Sequence, residues 1–100
     1  MANVFDTFYS VYDEKAGSFT PPFLAKNDEV AKRVLIQSMR ALPDCPLIDY
    51  PADFTLFAIG SWDCDNGIVT PFEVKRNIGN VLQIMSSFGW TKEETKEENE

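Results

Sequence analysis

One hundred residues, 44% of them hydrophobic and eight of them Phe, with a formal net charge of −7, describe one small folded domain and not a disordered chain. Sixteen acids against nine bases exclude the basic balance of a duplex-DNA binder. With no histidine and two isolated cysteines, Cys45 and Cys64, a Cys/His zinc site and a Cys–His nucleophile pair are excluded, and no cofactor is expected.

The first strand is expected over residues 4–13, which are rich in aromatic and β-branched types. Alternation turns Phe8, Ser10 and Tyr12 to one side and Tyr9 and Val11 to the other. Asp13 to Gly17 has turn composition. Ser18 to Phe23 is expected as a short return strand, held to an edge because Pro21 and Pro22 lack amide donors.

Asn27 is a helix N-cap, with Asp28 and Glu29 in the first turn facing the positive end of the helix dipole. Val30, Ala31, Val34, Leu35, Ser38, Met39 and Leu42 then recur at helical spacing, and the helix ends before Pro43. Its outer side carries Lys32, Arg33, Gln37 and Arg40. A loop with three prolines leads to a strand from Phe54 to Trp62. Apolar residues on both of its faces mark it as central. Asn66-Gly67 signals a two-residue type I′ hairpin turn, with a return strand over Ile68–Phe72 whose Pro71 points to an edge. Asn77 is the expected cap of a second helix carrying Ile78, Val81, Leu82, Met85 and Phe88. Residues 91–100 hold five Glu and two Lys and no apolar group, and are expected to form an acidic disordered tail.

The order reads as an α+β domain over residues 1–90. A small antiparallel or mixed sheet of about four strands carries one main amphipathic helix and a C-terminal helix on one face. If the first strand and the Phe54 strand are neighbours, the intervening helix would make a right-handed crossover. No apolar run is long enough to span a bilayer as a helix, and the first residues lack the pattern of a signal peptide, so no membrane role is expected.

Motifs for catalysis are missing. Asp63-Cys64-Asp65-Asn66-Gly67 has some composition of an EF-hand loop, but placing Gly67 at loop position six puts Trp62 and Cys64 at ligand positions, so it reads as a turn. Asp44, Asp49 and Asp53 cluster without a nucleophile or a phosphate-cradling loop, and no enzyme is expected. The stronger case is single-stranded nucleic acid, held by aromatic faces that stack bases and by cations that follow phosphates. The candidate residues are Tyr9, Tyr12 and Trp62 for stacking, with Lys15, Arg33, Arg40, Lys75 and Arg76, and Lys26 nearby, for phosphates.

The segments Tyr9–Phe23, Asn27-Asp28 and Tyr50–Asp63 carry a further signal. Read in order as YSVYD, K, G, F, PPF and ND, then a helix, then YP, DF, LF, IG, D, G and P over residues 8–73, the chain resembles the small non-structural protein of gokushovirus-type microviruses, tailless phages with single-stranded DNA. The resemblance implies a protein made in the host cytoplasm and absent from the mature capsid. Relatives are described as DNA-binding, or as factors in the switch from duplex replication to single-strand synthesis and packaging. It assigns no catalytic or binding residue. The expected partners are therefore single-stranded DNA, phage replication or capsid proteins, or a second copy in a homodimer. The alternative is a protein–protein adaptor or assembly factor that does not touch DNA.

Overall fold

A computed structural model describes residues 5–90. The acidic tail expected over 91–100 and the first residue of the expected opening strand, Val4, lie outside the described residues. Strand β1 (Phe5–Asp13) is followed by two short strands, β2 (Ser18–Phe19) and β3 (Phe23–Ala25), and by helix α1 (Asp28–Ala41). A short helix α2 (Pro46–Asp49) and a 3-10 turn (Pro51–Asp53) lead into β4 (Phe54–Asp63), β5 (Ile68–Asn80) and helix α3 (Val81–Ser87). These strands form a single antiparallel sheet. β1 and β4 are central, β5 lies on one edge, and β2 and β3 share the other side of β1. The sheet and its helices make the α+β architecture expected.

β1 and β4 are neighbours, but antiparallel, so the expected right-handed crossover does not form. The reason lies in the return segment. β2 and β3 bring the chain back along β1, and α1 carries it to the end where β1 finishes. There Glu14 N donates to Asp53 O at 3.0 Å, and β4 starts beside the end of β1. The return strand is split at Thr20–Pro22, where the two prolines offer no donors. Thr20 bridges the gap. Its N–H donates to Val11 O at 2.9 Å, and its hydroxyl accepts from Val11 N at 3.1 Å.

α1 starts as expected: Asn27 Oδ1 accepts from Val30 N at 2.9 Å, a cap worth about 1 kcal/mol. Its apolar side, Ala31, Leu35, Ile36 and Met39, packs with Val81, Ile84 and Met85 of α3 on one face of the sheet, against Tyr9, Val11, Phe54, Leu56 and Ala58. The start of α3 differs from expectation. β5 continues through Asn77 and Ile78, and Asn80 is the cap. Asn80 Oδ1 accepts from Leu82 N at 3.0 Å, while its Nδ2 donates to Ala52 O and Phe54 O. A residue that caps α3 and also ties down the entry to β4 satisfies more backbone groups than Asn77 could from within the strand.

Two turns share one design. Asp13 and Asp63 each accept Gly N–H four residues on through the backbone, at 2.8 Å, and each carboxylate caps the next amides of its turn. Gly17 and Gly67 both take φ of 70°. The second turn therefore has four residues between Asp63 and Ile68, not the two-residue type I′ loop expected from Asn66-Gly67. Type I′ requires positive φ at both central residues, and Asn66 does not have it. With Asp63 holding its own backbone, the EF-hand reading is also set aside.

Candidate nucleic-acid interface

The helices cover one face of the sheet. The opposite face carries the side chains that alternate outward. In β1 these are Asp6, Phe8, Ser10 and Tyr12. Directly opposed residues share a face, so the pairs Tyr12↔Phe19 and Ser10↔Phe57 add Phe19 and Phe57. Asp6↔Trp62 adds Trp62 by a less obvious route. The register passes from Tyr9↔Ala58 to Phe8↔Gly60, leaving Ile59 as an extra residue in β4. That bulge reverses the parity of the strand. Unbroken alternation from Phe54 would have sent Trp62 toward the helices.

The rings on this face touch. Tyr12 and Phe19 lie 4.8 Å apart between centroids, and Phe19 and Phe57 meet edge-on at 5.8 Å. Trp62 meets Phe8 edge-on at 6.4 Å. Phe19 is 40% exposed, and Phe8, Tyr12, Phe57 and Trp62 are half-buried. Phe8 also lines a wholly apolar hollow of about 250 Å³ with Pro22, Ile59, Gly60, Val69 and Pro71. Five steps of β5, from Pro71 to Arg76, span only two steps of β4, from Gly60 to Ala58. The resulting wide bulge brings Lys75 over the edge, with Nζ 5.9 Å from the Phe19 ring centroid. Ser10 is fully buried among these groups, its hydroxyl donating to Thr20 O at 2.7 Å.

Of the residues singled out from the sequence, this face gathers Tyr12, Trp62 and Lys75. Lys15 stands in the exposed turn after β1, beside Tyr50 and Asp53. Tyr9 does not belong to the face. It points to the helices, is fully buried and has no surface on which a base could stack. Its hydroxyl donates to Asp28 Oδ1 at 2.7 Å. Arg76 alternates with Lys75 and turns the same way as Tyr9. It grips Asp28 with both guanidinium nitrogens, at 2.6 and 3.3 Å, which engages it in an ion pair and not on the open face. Arg33 and Arg40 project from α1, in the layer on the far side of the sheet, and Arg40 lies over the Trp90 ring at 5.0 Å. Neither stands on the face that carries Tyr12 and Trp62. Lys26 pairs with Asp6 at 3.8 Å. Phe8, Phe19 and Phe57 were absent from the candidate set, although alternation alone set Phe8 beside Tyr12.

The Tyr9–Asp28–Arg76 group has its own electrostatics. Burial, then the hydrogen bond to Asp28 and its charge, push the Tyr9 hydroxyl up to about 12. The Arg76 hydrogen bonds hold the Asp28 carboxyl below its usual value, and Asp28 in turn raises Arg76. All three groups are fixed in one charge state near neutrality, as befits a structural clamp. Among the described residues, no three His, Cys, Asp or Glu gather to hold a metal ion, no helix is long and apolar enough to cross a membrane, and Cys45 and Cys64 are free.

Residues 6–84 match the model of the phage ORF5 protein family. The chain belongs to that family. It is a phage protein whose matched region runs from β1 into α3 and so includes all of the sheet but Phe5. Neither a curated protein nor a solved structure matches the chain.

Proposed function

We propose that this phage ORF5 family protein is a non-catalytic, non-structural accessory of viral DNA replication or packaging that binds single-stranded DNA on its open sheet face in the host cytoplasm. The resemblance to gokushovirus-type microviruses supplies the viral context. The observation that carries the reading is the uncovered face itself. Five aromatic rings from β1, β2 and β4 lie there partly exposed, with Lys75 above Phe19. Bases stack on such rings whatever their sequence, and a lysine at the rim follows the phosphates.

The net charge of −7 opposes long-range attraction, so stacking must carry most of the affinity. Fluorescence anisotropy of a labelled single-stranded oligonucleotide, at low and moderate salt, tests this with the full chain and with residues 91–100 removed. With Lys75 as the principal phosphate contact, the slope of log affinity against log salt should be shallow, about −0.7 per phosphate neutralised. Absence of binding by either form at low salt would end the proposal.

A specific observation favours a second reading, the adaptor. Among the described residues no strand lies beside the outer edge of β5, and Ile68, Val69 and Val74 are all more than half exposed. An unprotected strand edge of this kind pairs readily with another chain. Association that is insensitive to salt and lost on Val69→Lys would support it.

A further inference from the structure

β5 runs from Ile68 to Asn80, so Val74 is its midpoint. Val74 is also the most exposed large apolar side chain among the described residues, at 80%. It stands in the wide bulge, where no residue from Phe72 to Lys75 has a partner in β4. Glu73 and Lys75 flank it. The register fixes the side to which they turn. Pro71 lies opposite Gly60, Asn77 lies opposite Phe57, and Lys75 reaches Phe19, so the alternate residues from Pro71 to Asn77 face the open side of the sheet. Glu73 has no ion-pair partner among the described residues.

We infer that β5 docks a second copy of this chain, edge to edge and antiparallel, with a two-fold axis at Val74. The inference rests on the adaptor reading of this edge and names its partner. Overlapping the two strands end to end sets Ile68 of each copy against Asn80 of the other. Val74 then meets Val74, and Glu73 meets Lys75, twice, at about 5 Å between Cβ atoms. The register of longest contact is therefore also the one that pairs opposite charges. Moving the axis to Glu73 or to Lys75 opposes like charges, and a parallel in-register pairing does so at both positions. A slip by one residue sets each charge against an apolar residue or against Arg76, which Asp28 already holds. Two copies related in this way use each β5 once, so the contact closes at a dimer. Opposed residues share a face, so both open faces lie on the same side of the joined sheet. The net charge of −7 resists approach, but physiological salt screens it beyond about 8 Å, and the groups in register decide.

Sedimentation velocity of the full-length chain over a concentration series tests the inference, with circular dichroism as the check on folding. Expected is a reversible monomer–dimer equilibrium. Glu73→Lys and Lys75→Glu should each weaken it by about tenfold or more, because each variant alone sets two like-charged pairs across the axis. An equimolar mixture of the two variants should dimerise again, since each then meets the opposite charge at both positions. Rescue on mixing also shows that both variants fold. A wild-type chain that stays monomeric at about 1 mM would overturn the inference and leave the edge to a different protein. Association that persists in both single variants, or is not restored by mixing them, would overturn it too. Loss on Val69→Lys in that case would keep β5 as an adaptor edge in another register.

Discussion

The Tyr9 hydroxyl donates a 2.7 Å hydrogen bond to Asp28 Oδ1, and Asp28 receives Arg76 on its other side. Three elements distant in sequence, β1, the first turn of α1 and the bulged edge of β5, thus meet at one carboxylate. Tyr9→Phe keeps the ring in the core and leaves Asp28 with Arg76. It should cost about 1 kcal/mol, the net worth of one hydrogen bond, measured by urea unfolding.

The same pair sets a pH dependence at both ends. Tyr9 is held protonated more firmly in the folded chain than in the unfolded one, up to about 12. Its contribution is complete below pH 10 and falls as pH rises from 10 through 12, where the unfolded chain gives up the proton first. Asp28 is shifted the other way. Its contribution is complete above the usual carboxylate range and is lost as pH falls below it. Unfolding titrations should therefore show the gap between wild type and Tyr9→Phe narrowing above pH 10. The gap to Asp28→Asn should close in acid. At neutral pH the Asp28–Arg76 pair, half exposed, should add no more than about 1 kcal/mol.

Binding of single-stranded DNA should depend on the open face and not on α1. Trp62→Ala, Tyr12→Ala and Phe19→Ala should each lower affinity by about 1–3 kcal/mol if their rings stack bases. Arg33→Ala, on the far layer, should leave affinity nearly unchanged. Anisotropy titrations with folding checked by circular dichroism decide this. Strong dependence on Arg33 with none on Trp62 would move the site to the helical layer.

β4 and β5 approach closely at Gly60. A Cβ there would lie 2.8 Å from Thr70 O and 3.2 Å from Pro71 Cα, both backbone atoms that cannot swing aside. Gly60→Ala should push the strands apart at a cost of about 1–3 kcal/mol, read by thermal unfolding. It should also disturb the hollow beside Phe8, because Gly60 and Pro71 both line it.

The β4–β5 turn rests on Gly67 at φ 70° and on the Asp63 carboxylate, which accepts from Asp65 N at 3.0 Å and Asn66 Nδ2 at 2.9 Å. Gly67→Ala should destabilise by about 1–2 kcal/mol through the left-handed conformation alone. Hydrogen exchange at Ile68 and Val69 should accelerate before that of the core strands, since the turn is exposed.

Several features were legible in the sequence because their causes are local. The period of Ala31, Leu35 and Met39 and the side chain of Asn27 define α1 within a few residues of chain. Strand alternation placed Tyr9 with Val11 and opposite Tyr12, a fact that already argued against the two tyrosines stacking bases on one face, while which of them is buried came from the packing of the helices. The glycine turn after Asp13 needed only its own residues. Cations and aromatics could be counted, but not assigned to a shared face.

That assignment belonged to tertiary structure. The extra residue Ile59 depends on how β4 lies against β1, and it turns Trp62 to the open side. The wide bulge before Arg76 depends on β5 meeting β4, and it separates Lys75 above Phe19 from Arg76 bound to Asp28. Asn80 replaces Asn77 as the cap because the carbonyls of Ala52 and Phe54, far away in sequence, lie within its reach. The sequence by itself determined which residues could form a strand, cap a helix or stack a base, since backbone preference and side-chain chemistry act over a few residues. Which of them face the same partner was decided only when the strands paired, because a single unpaired residue in one strand reverses every side chain beyond it.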